Sequence, residues 1–337
     1  MVLTGGLASG SFYMPFNKVK NWAWETYWLT GGLFSWIIVP WIVTLLTVNS
    51  LFEVLSNASG TTIFYTVLFG ILWGIGGLTF GLALRYLGMS LGMALALGLT
   101  AAFGTLIPPV YTGEISKMIL NISGQLTIGG VVLSLVGIGI VGRAGVLKDR
   151  ELPEDKKQES IKDFNLNKGL LVAIFAGILS ACFAFGIAAG EPLTRLAVKA
   201  GTNTLHQNNP TFVLILIGGF ATNAFWCIRM AVKNKTYGDY VRSKKTPIVS
   251  NYLFSALAGT IWFMQFMFYG MGESYMGKYG FACWSMLMTS TIIFSNIWGL
   301  ILKEWKGTGR KTHITIISGL IVLILSIFII GIGSYLQ

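Results

Sequence analysis

Long uncharged stretches decide what this chain can fold into. Residues 126–141, 170–189 and 314–333 contain no charged side chain. A helix needs about 20 apolar residues to cross the hydrocarbon core of a bilayer. Lipid offers backbone groups no hydrogen bonds, so such runs must satisfy their own N–H and C=O groups as helices. Across the chain, charged residues make up only 11% of 337 positions and hydrophobic residues 54%. A soluble domain carries about 25% charged residues. The expectation is an all-α integral membrane protein.

The hydropathy pattern predicts ten spans: 1–16, 27–48, 61–84, 87–109, 126–142, 169–190, 211–232, 250–272, 282–302 and 313–335. The first is short for a full crossing. Lys18 and Lys20 follow its apolar run instead of preceding it, so it is expected to be retained and not cleaved as a signal. With this division, 20 of the 24 lysines and arginines fall in the loops after spans one, three, five, seven and nine. The other side holds only Lys117, Arg195, Lys199 and Lys278. The positive-inside rule then puts the first set in the cytoplasm and both termini outside. The net charge of +11 follows from these separate loops, with no single basic domain of the kind that binds nucleic acid. Cys182, Cys227 and Cys283 each sit in an apolar stretch without a CxxC pair, which argues against a disulfide or metal framework.

Residues 143–168 are the one stretch that mixes many charges of both signs. Read as a cytoplasmic linker, they divide the chain into two five-helix halves, 1–142 and 169–337. Five is odd, so the second half enters the membrane inverted. A shift of 189 residues brings Gly70, Trp73, Phe80 and Gly81 onto Gly259, Trp262, Tyr269 and Gly270. Inverted repeats of this kind are a hallmark of secondary transporters, whose sites lie between the repeats near the bilayer midplane.

Several runs resemble the L-rhamnose–proton symporter family of the drug/metabolite transporter superfamily. They are FYMPFNKVKNWAWET at 12–26, GLFSWIIVPW at 32–41, WGIG at 73–76, RYLGMS at 85–90, WFMQFMFY at 262–269 and LKEW at 302–305 with Gly309 and Arg310. The resemblance implies a ten-helix inverted-repeat fold in the bacterial inner membrane. It also implies import of a monosaccharide, L-rhamnose or a related deoxy sugar, with a proton as coupling ion and no cofactor. The departures lie inside spans: Gly77, Thr79 and Phe80 stand where that family's rhamnose carriers have Asn, Asn and Tyr, and Ala188 and Leu287 near where they have Asn and His; each change removes or weakens a polar group. The identity of the sugar is therefore left open. Export or facilitated passage of another metabolite or drug is the alternative within the same superfamily.

A sugar presents C–H patches to aromatic faces and hydroxyls to amides and hydroxyls. Gln265 is one helical turn from both Trp262 and Tyr269 on a single face. Trp73 is the repeat partner of Trp262. Together with Tyr13, Trp36 and Asn223 these are the expected sugar-binding residues; Ser9, Ser35, Trp284 and Asn296 are further intramembrane candidates. No acid falls in mid-span, so Glu25, Glu304, Glu191 and Glu273 are the candidates for proton coupling. The sequence holds no nucleophile–base pair, metal cluster or phosphate loop, so an enzyme is not expected. Oligomeric state cannot be read from these residues.

Overall fold

The computed structural model describes residues 1–87, 89–111, 113–151, 166–241 and 246–336. The described residues contain helices and turns but no strand. Eight helical stretches among them are long and apolar enough to cross a membrane: Trp24–Thr47, Gly60–Ala83, Ile122–Glu151, Asn167–Lys199, Thr204–Asn234, Ile248–Glu273, Ala282–Ile301 and Arg310–Tyr335. The span expected at 87–109 is a continuous helix, but its apolar part is the shorter Leu95–Val110. The span expected at 1–16 is broken at Phe12 into two short helices. Among the described residues, eight of the ten expected crossings therefore pass on length and apolarity.

The chain forms two compact units, each drawing on both sequence halves. The first comprises residues 3–75 and 185–274. Its helices include α1 (Val2–Ser11), α2 (Tyr13–Phe16), α3 (Trp24–Leu33), α4 (Val39–Thr47), α5 (Leu51–Asn57) and α6 (Gly60–Leu87) as far as Ile75. A π-helical turn, Phe34–Ile38, joins α3 to α4. Pro40 follows it, where a missing N–H is tolerated at a helix start.

Two helix crossings in this unit depend on glycine. A Cβ on Gly259 would strike the Gly31 carbonyl, and one on Gly31 would lie 3.1 Å from the Ser255 carbonyl. A Cβ on Gly70 would strike the Ile215 carbonyl, and one on Gly218 the Val67 carbonyl. These are backbone-to-backbone approaches, the device by which membrane helices gain dispersion contact where lipid supplies no hydrophobic drive.

The far end of the unit is tied by polar bonds. Asn209 Nδ2 donates to Thr47 Oγ1 at 2.9 Å, and Asn49 Nδ2 to the Gly201 carbonyl at 2.8 Å. At the other end Asn251 accepts from the Lys20 amide at 3.1 Å and donates to the Lys20 carbonyl at 2.8 Å. Ala23 N–H and Thr26 Oγ1 both donate to Asp239 Oδ2, at 3.0 and 3.1 Å.

The second unit comprises residues 76–184 and 275–337. It contains the end of α6, α7 (Met89–Tyr111), α8 (Glu114–Met118), α9 (Ile122–Glu151) and most of α10 (Leu166–Ala189). Its last helices, α14 and α15, are Ala282–Ile301 and Arg310–Tyr335; the intervening α11, α12 and α13 (Glu191–Lys199, Asn209–Asn234, Ile248–Glu273) belong to the first unit. α9 and α15 lie against each other along their length. Gly130 faces Ser326 and Ile330, Gly137 faces Leu323, and Ser123 Oγ donates to the Gly333 carbonyl at 2.7 Å.

Residues 143–151, expected in the linker, continue α9 instead. Lys148 and Arg150 occupy its last turn, where cations complement the helix dipole. Lys148 Nζ sits 4.8 Å over the Trp305 ring. Glu151 receives the Gly309 amide at 2.6 Å and Thr312 Oγ1 at 2.9 Å, capping the start of α15. The other linker charges at 154–163 lie outside the described residues, as do Arg242, Lys244 and Lys245.

Candidate sugar-binding site

Six aromatic side chains of the first unit close a circuit. Phe12 meets Trp28 at 6.5 Å between ring centroids, Trp28 meets Trp36 at 6.3 Å, and Trp36 meets Trp73 at 6.3 Å. Trp73 meets Phe266 at 5.7 Å, Phe266 meets Trp262 at 6.2 Å, and Trp262 returns to Phe12 at 4.3 Å. Most of these pairs are edge-on, the arrangement the ring quadrupoles favour. Phe16 adds a further ring, 6.1 Å from Trp28.

A cavity opens among Phe12, Phe16, Trp28, Ser35, Trp36 and Trp262, with Gly31, Gly32, Ala258 and Gly259 as the low parts of its wall. Its enclosed volume is about 20 Å³, room for about one water molecule. The walls must therefore spread before a molecule as large as a monosaccharide fits.

Three buried polar atoms of the cavity wall lack a hydrogen-bond partner among the described residues: Ser35 Oγ, Trp36 Nε1 and Trp262 Nε1; Ser255 Oγ and Gln265 Nε2, on the same helix as Trp262 but not in the wall, also lack one. Each buried, unsatisfied donor costs about 1–3 kcal/mol. Native interiors tolerate few of these. Aromatic faces beside orphaned donors suit a ligand that carries both C–H surface and oxygen lone pairs, as sugars do.

The structure treats the expected site residues unequally. Trp36 and Trp262 line the cavity. Gln265, 2% exposed, stands one turn beyond Trp262. Trp73 closes the circuit from behind Trp36. Asn223 works indirectly: its Oδ1 accepts the Trp28 indole N–H at 3.2 Å, and its Nδ2 donates to the Gly219 carbonyl at 2.9 Å. Tyr269 is buried but packs against Phe212 at 6.3 Å and is not part of the cavity wall. Tyr13 is 46% exposed and touches the rings of Phe12 and Phe16 at the rim. Ser35 lines the cavity; Trp284 and Asn296 belong to the second unit, where Trp284 donates to the Thr100 carbonyl at 3.2 Å and Asn296 to the Ile292 carbonyl at 2.8 Å.

Sequence reasoning passed over Phe12, Phe16, Trp28 and Phe266 as site residues. The signal available for Trp28 was its four-residue spacing from Trp24, with which it stacks at 5.3 Å.

The four candidate acids also separate. Glu191 pairs with Arg195 at 2.8 Å and Glu304 with Lys148 at 3.8 Å, and both carboxylates are about half exposed. Glu25 is buried, and its Oε1 accepts from Asn234 Nδ2 at 2.9 Å and Thr236 Oγ1 at 2.8 Å. Glu273 is partly buried and accepts from Asn208 Nδ2 at 2.8 Å and from the Tyr269 hydroxyl. No group of three or more His, Cys, Asp or Glu side chains that could hold a metal occurs among the described residues.

Residues 1–335 match the family described as L-rhamnose-proton symport protein (RhaT). The chain is 38% identical over 334 residues to the L-rhamnose-proton symporter of Klebsiella pneumoniae subsp. pneumoniae, covering 98% of this chain and 96% of that protein. It is 39% identical to the proteins of the same name from Shigella sonnei and Shigella flexneri, with the same coverage.

Proposed function

The chain belongs to the L-rhamnose-proton symport protein family, and on that premise we propose that it imports L-rhamnose or a related deoxy sugar together with a proton. The aromatic circuit with its orphaned donors carries this reading. The sugar's C–H face and methyl group lie against the rings. Its oxygens accept from Trp36, Trp262 and Gln265, whose donors have no partner within the protein. The described residues of the cavity wall include no acid. A neutral polyol suits such a wall better than the organic cations that drug exporters carry.

The protein sits in the bacterial inner membrane with ten crossings, counting the short helices at 1–16 and the helix at 87–109. Both termini face outward. The halves 1–142 and 169–337 are inverted repeats joined by the linker 143–168. The two glycine crossings support this. Gly70 and Gly259 are repeat partners by sequence. Gly70 meets the seventh span and Gly259 the second, which are themselves equivalent positions in the two halves. Exchange of two near-equal packings then opens the site to one side and the other in turn.

The test is uptake of labelled L-rhamnose into vesicles with an imposed inward proton gradient. Accumulation that collapses with a protonophore is the expected result. Uptake that only equilibrates, whatever the gradient, would remove proton coupling and leave facilitated passage.

A further inference from the structure

Four acids were open to a coupling role; Glu25 is buried and Glu273 partly buried, and the geometry of the first unit separates these two. Glu191 and Glu304 hold their charges in exposed ion pairs, which contribute little and change little when a carrier rearranges. Glu25 lies in the first turn of α3. There the unpaired amides and the positive end of the helix dipole support a carboxylate. Two side-chain donors complete its shell. Its environment is that of a permanent structural anion.

Glu273 stands at the opposite kind of helix end. It is the last residue of α13, where the carbonyls point outward and a negative charge is opposed. Only neutral donors, Asn208 and Tyr269, compensate it. No Lys, Arg or His nitrogen lies within ion-pair distance of it among the described residues. Asn208 is itself held by Thr194 Oγ1, which donates to its Oδ1 at 3.1 Å. Among the described side chains, the other ionisable groups on the elements packed around this end include His206 on the turn Thr204–His206, which packs on α13, and Glu191, Arg195 and Lys199 on α11. The nearby ends of α4 and α12 contribute the uncharged Thr47 and Asn209.

The same helix carries Gln265, Tyr269 and Glu273 at successive intervals of four residues. That spacing aligns them on one face over roughly 12 Å. Gln265 and Tyr269 are both buried.

We propose that Glu273 is the proton-carrying group of this protein and that Tyr269 links it to the sugar site at Gln265. The proposal rests on the sugar-binding reading given above. A proton from water adds to a lone pair of the Glu273 carboxylate and forms an O–H bond; the same bond breaks when the proton leaves to water on the other side. Nothing is oxidised or reduced. The ionised carboxylate matches two inward-pointing donors. Once protonated it presents a donor of its own, and the Tyr269 hydroxyl must turn to accept. Tyr269 packs against Phe212 of α12, so this turn changes how α12 and α13 meet. A sugar bonded to Gln265 fixes the same face one turn away. Each ligand thereby favours the arrangement that the other needs, which is the thermodynamic content of symport.

The experiment compares wild type with Glu273→Gln, Glu273→Asp, Glu25→Gln and His206→Gln in proteoliposomes and in detergent. Wild type should bind L-rhamnose, read by quenching of tryptophan fluorescence, and should take up protons from weakly buffered solution as it does so. Glu273→Gln should keep sugar binding and sugar–sugar exchange but lose proton uptake, the pH dependence of sugar affinity and all uphill accumulation. Glu273→Asp should keep accumulation with a displaced pH profile. Glu25→Gln and His206→Gln should keep the wild-type profile if they insert. Protonophore-sensitive accumulation by Glu273→Gln, or an unchanged pH profile in Glu273→Asp, would overturn the assignment while leaving the sugar site intact. A wild-type protein that binds no L-rhamnose would instead remove the sugar reading beneath it.

Discussion

Trp28 donates its indole N–H to Asn223 Oδ1 at 3.2 Å, and this bond holds one wall of the aromatic cavity in place. The amide cannot rotate away, because its Nδ2 is committed to the Gly219 carbonyl. Asn223 thus positions a ring without lining the cavity. Asn223→Leu should leave Trp28 present but unanchored. A hydrogen bond of this kind contributes about 1 kcal/mol, or roughly fivefold in affinity. The expected outcome is a rise of that order in the KM for L-rhamnose with the inserted amount unchanged. An unchanged KM would remove Asn223 from the site.

Gln265 makes a prediction of opposite sign for stability and for binding. Its buried Nε2 has no hydrogen-bond partner among the described residues, so the folded protein bears a desolvation cost there. Gln265→Leu removes that cost while nearly preserving volume. Thermal unfolding in detergent should occur at the same or a higher temperature than wild type. L-rhamnose affinity should fall by roughly tenfold or more, since a charge-free donor and its bond to the sugar are both lost. A lower melting temperature with unchanged affinity would make Gln265 a structural residue.

The paired glycine crossings predict paired defects. Gly259→Val and Gly70→Val each drive a side chain into a facing backbone carbonyl. Overpacking of this kind costs about 1–3 kcal/mol. Both variants should melt lower and insert in smaller amount. Gly129, on α9, faces no atom within 4 Å of a built Cβ. Gly129→Ala should be neutral or slightly stabilising, since alanine is favoured over glycine in a helix by about 1 kcal/mol. Equal losses in all three would point to general fragility and not to the crossings.

Topology is accessible through added cysteines, because Cys182, Cys227 and Cys283 are buried and give little background. A cysteine replacing Tyr335 should react with a membrane-impermeant maleimide from the periplasmic side. One replacing Lys303 should react only after the membrane is opened. The reverse pattern would turn the whole orientation over.

The positions of the helices were largely legible in the sequence. Unbroken apolar runs and charged ends set the boundaries of the later helices to within a few residues, as at 282–302 against Ala282–Ile301. The end of α9 was not legible. Charge density at 143–151 marks contact with water, and a helix that leaves the membrane can carry charges as well as a loop can.

Trp262 was placed by its spacing and its family-like run, and it lines the cavity; Gln265, expected beside it, stands one turn beyond the wall. Tyr269 shares their face, yet it bonds Glu273 instead of lining the cavity, because periodicity gives direction around a helix and says nothing of depth along it. Phe12, Phe266 and Trp28 could not be separated from ordinary packing aromatics until the circuit joined residues from four distant segments. Glu25 was expected only to lie outside mid-span. Its burial depends on Asn234 and Thr236, more than 200 residues away.

The wide turn at Phe34–Ile38 carries both Ser35 and Trp36 into the cavity wall. A π turn holds one residue more than an α turn. Each residue of an α-helix advances the winding by about 100°. If the turn tightened, the surplus residue would have to travel along the helix, and the wall would swivel with it. The Thr47–Asn209 bond pins one end of the segment, and the bonds of Thr26 and Ala23 to Asp239 pin the other. The torsion would then fall on the span between, where the sugar-facing groups are. A single-residue deletion there would lock the regular winding and leave the carrier with one fixed aperture.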